Sequence, residues 1–391
     1  MQESAPAGEM SPMTAEWVSS PDVFARMQTE WNGLLVESRA NALFLTWEWQ
    51  YTWWRKFGTG NQLAIVVVRR NGELIGVAPL LVRPRCYSRL IPYRVLEFIG
   101  SGSAGSDYLD VIIRRGEESE VLAVIGKLID QRGMVLEAKA VIAESSLINR
   151  LSRRLSNFGW YTRESGFSYC PRAILDGHTW PSFMAGLGKS RAAGYRRKER
   201  KMNRNFRVEL DQATTEEQRV PALQILFDLH LKRWEKRGGS SALHSAQLHE
   251  FHQEFSALAL ARGWLRLYVL RMDGQPAAAV YGFCYDRAFY YYQAGFDPEF
   301  NQSSPGFLMV GMTIQRAIEE GVVVYDFLRG EELYKSFWAN DQQELIRIDA
   351  FPWHLRGRLC SRSMYIRNRV KALVETRIPE PIRSRILSEH S

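Results

Sequence analysis

Two short stretches in the last third of this 391-residue chain carry groups suited to group-transfer chemistry. Asp326 follows the apolar run Val322–Tyr325 and should emerge at the carboxyl end of a strand, a common ligand position in α/β folds. Shortly after it stand Tyr334 and Lys335. An ammonium there can pair with a phosphate or a developing oxyanion, and a phenol can protonate a thiolate. Upstream, Ser303, Ser304, Gly306 and Phe307 surround Pro305 in NQSSPGFL. That wording starts a helix: a hydroxyl cap, then a proline whose missing N–H costs nothing. Backbone N–H groups at such a start are a ready anion site. Acyl transfer from a thioester needs these parts: a held donor, a polarised carbonyl, an oriented acceptor and a protonated leaving group. Each has a plainer reading. Lys335 can cap the sheet and bridge to Asp326, and NQSSPGFL can be an ordinary capped helix.

The elements that position these groups run from Trp264 to Trp338. The period gives strand, turn at Asp273-Gly274, strand, strand, loop, helix closed by Gly321, and a buried strand over 322–327. Earlier, helices are expected over 22–37 and 47–57, and a hairpin (63–68 and 74–82) about Asn71-Gly72. Strands near 94–99 and 107–113 flank the glycine- and serine-rich GSGSAGS. A helix over 117–132, a short strand at MVLEA, a helix over 145–157 and strands at 160–164 and 172–175 complete the first half. Residues 180–262 read as mainly helical, with 245–262 as one helix. The two hairpins lie about 200 residues apart in the same order of elements, which predicts an internal duplication. The fold class is α/β with mixed sheets: a disordered leader (1–15), an N-terminal domain (16–178), a C-terminal domain (179–352) and a basic amphipathic tail (353–391).

Three further features suit an acceptor cleft. Asp107 and Tyr108 follow the glycine stretch. His230 and Trp234 share a helical face with Leu223 and Leu226. Tyr290 and Tyr292 fall on one face of a strand, Tyr291 and Gln293 on the other. Aromatic rings with an amide can hold a sugar, and serve equally as core. His244, His249 and His252 have no HExxH arrangement or partner cysteine, so no metal is expected. The serines lack a G-x-S-x-G elbow, which leaves hydrolase chemistry without a nucleophile.

Composition sets the outer bounds. Hydrophobic residues make up 46% of the chain, enough for large packed cores. No apolar run is long enough to span a bilayer, and the first residues lack a basic start and apolar segment, so a cytoplasmic protein is expected. The four cysteines are far apart and should be free thiols. A net charge of +8 favours an anionic partner such as CoA, a nucleic acid or a membrane surface. Much of the excess lies in Lys189–Arg207, where Arg197, Lys201 and Arg204 would share one helical face and Arg191 and Lys198 another.

The phrases NALFLTWEWQYTWWRKFG, NGELIGVAPLLV, GSDYLDVII, LHLKRW, YYYQAGFDP and YDFLRGEELYKSFW occur in order between about residues 40 and 340. In wording and order the chain resembles the FemAB-like branch of the GNAT superfamily, closest to CelD/BcsL-type acetyltransferases of bacterial cellulose and exopolysaccharide synthesis. The resemblance implies tandem GNAT-like halves, with acyl-CoA (acetyl-CoA) bound in the second. It places Tyr334 and Lys335 in a G-x-x-x-Y-K-x-x-W phrase with Gly330 and Trp338, and supports Asp107 and Tyr108 near the acceptor. The glycine-rich donor loop usual in GNAT enzymes, Gln/Arg-x-x-Gly-x-Gly/Ala, is reduced to a single glycine, Gly306. The implied reaction is acyl transfer to an amine or hydroxyl of a sugar or envelope precursor. The alternatives are a FemAB-like aminoacyl transfer from charged tRNA and a catalytically inert scaffold in a polysaccharide-synthesis complex.

The arginine-rich tail after His354 should attach weakly to anionic membrane, each basic side chain contributing about 1 kcal/mol before screening. In liposome flotation the full chain should rise with anionic vesicles and a chain lacking residues 356–391 should not. Equal behaviour of the two rejects the attachment.

Overall fold

The computed structural model describes residues 12–87, 91–143, 146–235, 245–330 and 332–354, and the side chains among these except at 86–87, 91–92 and 234–235. Residues 1–11 of the expected leader, His244 and the tail beyond 354 lie outside this range, as does the side chain of Trp234.

The first half contains β1 (Met13–Val18), α1 (Pro21–Arg26), α2 (Gln28–Val36), α3 (Trp47–Phe57), β2 (Gln62–Leu63), β3 (Ile65–Arg70), β4 (Glu73–Ala78), β5 (Leu80–Tyr87), β6 (Ile91–Phe98), β7 (Ile112–Ile113), α4 (Glu118–Arg132), β8 (Val135–Ile142), α5 (Leu147–Asn157) and β9 (Tyr161–Ile174). The second half follows with α6 (Trp180–Gly186), α7 (Lys189–Asn205), β10 (Val208–Gln212), α8 (Glu216–Glu235), α9 (Ala246–Ala261), β11 (Leu265–Met272), β12 (Gln275–Tyr285), β13 (Ala288–Phe296), α10 (Pro305–Glu319), β14 (Val324–Asp326), α11 (Leu333–Trp338) and β15 (Asp341–Phe351).

Both expected hairpins form, and for the same reason. Asn71 and Gly72 have φ of 52° and 83°, Asp273 and Gly274 51° and 79°. Two positive φ values in a two-residue loop match the twist of the flanking strands. The hairpins occupy equivalent places: β1–β3–β4 in one sheet repeats as β10–β11–β12 in the other. Where β12 runs unbroken, the first half is interrupted at Pro79, which has no N–H for the ladder. There β4 stays in a four-stranded sheet and β5 passes into the eleven-stranded one.

At the centre the halves exchange strands. β6 pairs in parallel with β8, and β13 with β14. The outer neighbour of β14 is β9 of the first half, whereas that of β8 is β15 of the second. β9 and β15 then pair antiparallel from Asp341↔Arg172 to Phe351↔Tyr161. One sheet therefore runs through both halves in the order β10-β11-β12-β13-β14-β9-β15-β8-β6-β5-β2. One core lies between this sheet and the first half together with α8 and α9, and a second lies under α6, α7, α10 and α11.

Several expectations need correction. β1 begins at Met13, inside the expected leader, where it pairs with β3. The single helix over 22–37 is two, divided at Met27. The strand over 107–113 is mostly loop, because buried Asp110 turns aside to accept the amides of Leu147 and Ile148 at the start of α5. The two strands at 160–164 and 172–175 are one, β9. The helical reading of 180–262 missed β10, whose Val208 and Leu210 pack on the second core while Glu209 and Asp211 alternate with them. Two carboxylates in five residues hid a period of two.

Separating the halves should expose the two sides of β9 and β15 that the partner covers. Residues 1–178 produced alone should aggregate or stay unfolded, and co-production with 179–391 should restore a soluble complex. A monomeric 1–178 fragment with a cooperative thermal transition would show that the exchange is dispensable.

Candidate active site

β13 and β14 pair only over Ala288–Tyr290 and Val324–Asp326. Beyond that register they part, and a cavity of about 550 Å³ opens beside Tyr291 and reaches Phe296, the first turn of α10 and Glu332–Tyr334. Ser304, Gly306, Phe307 and Tyr334 line it; Ser303, at the end of a 3₁₀ turn, does not. The expected hydroxyl cap is absent. Ser304 adopts the left-handed conformation (φ 53°) and makes no capping bond. Its Oγ accepts from Lys198 Nζ of α7 at 2.9 Å. A left-handed serine thus makes the turn that a second glycine would otherwise make. The amides of Gly306 and Phe307 fall in the first helical turn, which has no intrahelical acceptors. Arg233 of α8 also lines the cavity. The Tyr334 hydroxyl donates to Tyr291 Oη at 3.4 Å, and burial holds its own ionisation well above the usual phenol range.

Beside this cavity lies a buried polar cluster that joins the halves. Tyr108 Oη donates to Asp326 Oδ2 at 2.5 Å. The amide of Leu328 donates to Asp326 Oδ1 at 2.7 Å. Asp107 is ion-paired with the Arg329 guanidinium and accepts the Arg329 amide at 3.3 Å. Burial pushes the Asp326 carboxyl up to about 6, against the hydrogen bonds from Tyr108 and Leu328. Burial also raises Asp107, and the Arg329 charge pulls it back. Tyr108 and Leu328 both have positive φ (58° and 54°), unusual for bulky residues and a form of strain that collects at functional sites.

Lys335 is 4% exposed and does not line the cavity. Its Nζ donates to the Arg329 carbonyl at 2.9 Å and pairs with Glu332 at 2.9 Å. Lys335 therefore fastens the turn after β14, with the Arg329 carbonyl and Glu332 as its partners rather than Asp326. Gly330, at φ 141°, leaves room for this: a Cβ there would collide with the Glu332 carboxylate and the Lys335 ammonium.

The remaining predicted residues stand apart. His230 is buried on α8 against β13, so close that a Cβ on Gly295 would meet its amide nitrogen at 2.5 Å. The Tyr292 hydroxyl donates to the Ala104 carbonyl at 2.5 Å, and its ring packs edge-on to Trp49. The paired reading of Tyr291 and Gln293 is corrected by a bulge between Tyr281 and Gly282 that breaks the alternation. Ala294 and Phe296, rather than Gln293, join Tyr291 in lining the cavity. Arg329, Arg233 and Lys198 were not singled out for the site from the sequence. Arg329 follows a strand as Asp326 does, but nothing local reveals a partner 222 residues away. Among the described residues no group of three or more His, Cys, Asp or Glu is placed to hold a metal ion, and no helix is long and apolar enough to cross a membrane.

Asp326 gives a sign-defined pH dependence. Its folded value lies above the usual carboxylate value, so its contribution to stability is fully present below about pH 4 and is lost as the pH rises through about 6. Denaturant unfolding should show wild type losing on the order of 1–3 kcal/mol relative to Asp326→Asn between about pH 4 and pH 7. Parallel curves for the two proteins would place the Asp326 carboxylate in a wet site.

Residues 189–336 match the family described as Acetyltransferase (GNAT) domain. No curated protein matches the chain in sequence. Among solved structures the fold is similar to FemX at 13% identity, covering 85% of this chain and 97% of that one, with a TM-score of 0.61. It is similar too to a conserved protein of unknown function from Bacteroides thetaiotaomicron at 11% identity, covering 86% and 99%, TM-score 0.53. The C-terminal domain of a candidate lysylphosphatidylglycerol synthetase from Agrobacterium fabrum gives 11% identity, 90% and 96% coverage and a TM-score of 0.52. The parted strands, the helix start and the matched span fall in one place: residues 189–336 match a GNAT acetyltransferase domain, and that match supports an acyltransferase.

Proposed function

We propose that the chain moves an acyl group, acetyl before others, from acyl-CoA to an amine or hydroxyl of a sugar or cell-envelope precursor, in a CelD/BcsL-type role. The observation that carries this is the cavity opened by the parting of β13 and β14 and fronted by the first turn of α10. Its volume, about 550 Å³, lies in the range of small-molecule sites. Acyl-CoA would bring a thioester carbonyl for the acceptor to attack. The amides of Gly306 and Phe307, with Lys198 behind Ser304, suit its phosphate charge. Tyr334, kept protonated by burial, donates a proton to the leaving thiolate. Asp326, held by Tyr108 and by the Leu328 amide, faces a separate hollow that Tyr108 and Arg172 also line, and fixes the start of the turn that carries Arg329 and Tyr334. Lys335 and Asp107 are positioning residues that fix the turn carrying Arg329 and Tyr334.

The chain divides on this reading at 178/179 into two GNAT-like units, with the donor site in the second. The matching helix start in the first unit, at α4, carries Glu117, Glu118 and Glu120, and carboxylates there disfavour phosphate. A cytoplasmic protein, peripheral at the membrane through its tail, fits the same role. A second reading, transfer from aminoacyl-tRNA, is favoured by α7, whose Arg196, Arg197, Arg200, Lys201 and Arg204 are exposed on one basic helix.

Incubation with a panel of acyl-CoAs should release free thiol, acetyl-CoA reacting fastest once an acceptor is supplied. Release from none of them, with transfer from charged tRNA instead, favours the second reading. Lys335→Met should lower kcat about 100-fold through displacement of Tyr334, with acetyl-CoA affinity changed less than about twofold. Gly306→Val should do the reverse, weakening acetyl-CoA binding about tenfold, because a Cβ at 306 already lies 3.3 Å from Phe296. Full turnover in a folded Lys335→Met protein removes Lys335 from the machinery.

A further inference from the structure

A second hollow, of about 370 Å³, lies on the open face of the central strands, where Phe167 and Tyr169 of β9, Glu344 of β15 and Gly330 bound it. Gly330 precedes Glu332, Leu333 and Tyr334, which line the donor cavity, so one short segment borders both hollows. Phe167 is 37% exposed and Tyr169 52%; β9 is paired here with β15 alone, since β14 reaches it only at Arg172–Ile174, and Phe167 sits at a bulge in that pairing. Leu333, at the mouth of the donor cavity, is 88% exposed. Apolar surface collected in this way marks a binding site more than a packing defect.

The charges narrow what can bind. Glu344 stands directly opposite Tyr169 in the ladder and is exposed. Among the described residues no cation lies within ion-pair distance of its carboxylate. The guanidinium of Arg329, at 5.0 Å from the Phe167 ring, is already paired with Asp107. A phosphate or carboxylate ligand would find no uncommitted positive charge here. Flat aromatic faces take the C–H face of a pyranose, and aromatic faces with a carboxylate attract an ammonium. One ligand offers both.

We propose that this shelf binds the acceptor and that the acceptor is a hexosamine with a free amine, an inference that rests on the acyl-transfer reading above. The amine, as its neutral form, attacks the thioester carbonyl. A C–N bond forms and the C–S bond breaks; the nitrogen loses one proton, the departing sulfur gains one, and the products are an amide and a free thiol.

The test is calorimetric titration of the full chain with a β-1,4-linked glucosamine trimer, its N-acetylated counterpart, a lysyl peptide and acetyl-CoA. The glucosamine trimer should bind at least tenfold more tightly than the acetylated one. Tyr169→Ala and Glu344→Gln, both at exposed positions, should each weaken it tenfold or more while leaving acetyl-CoA affinity and the melting temperature unchanged. Acetyl-CoA binding without Tyr169-dependent trimer binding overturns the shelf alone. So does Tyr169-dependent binding of the lysyl peptide in place of the trimer. Tyr169-dependent trimer binding with no acetyl-CoA binding supports the shelf and overturns the donor reading.

Discussion

The antiparallel pairing of β9 with β15 is the constraint on which the rest of this structure depends. Each strand ends one half of the chain in sequence and completes the sheet of the other half in space. The exchange brings Tyr108 of the first half to Asp326 of the second, and Asp107 to Arg329. It also leaves the middle of the sheet uncovered on one face, since the helices of both halves are committed to their own cores. Polar cluster and aromatic shelf are consequences of one strand order.

Such a junction is costly to maintain. Two carboxylates are buried at it, and Tyr108 and Leu328 hold left-handed backbones to reach them. Ion pairing answers one carboxylate and two hydrogen bonds answer the other, so neither is left as an unpaired buried charge. What the arrangement secures is position. The turn after β14 is tied down by Lys335 from below and by Asp107 from the neighbouring half, and that turn carries the side chains facing the donor cavity.

Much of the fold was legible in the sequence, because its signals are local. Asn71-Gly72 and Asp273-Gly274 announce their hairpins through the φ values those residues tolerate. The start of α10 was legible for the same reason, since Pro305 stands in its first turn, where a missing N–H costs nothing. What stayed hidden is non-local. The fusion of two expected strands into β9 and its pairing with β14 and β15 leave no trace in period. Lys335 shows the limit most clearly, since its residue type suits a catalyst, a phosphate ligand or a buried tie, and only its neighbours separate these.

The span that matches the acetyltransferase family, 189–336, begins after β9 and stops before β15. It therefore contains β14 but neither of the strands that continue the sheet beyond it, and Asp326 without the tyrosine that holds it. A homology boundary and a folding boundary are different things in this chain. The recognisable module holds the whole lining of the donor cavity, whereas the polar cluster beside it is completed by Asp107 and Tyr108, which the strand exchange brings from the other half.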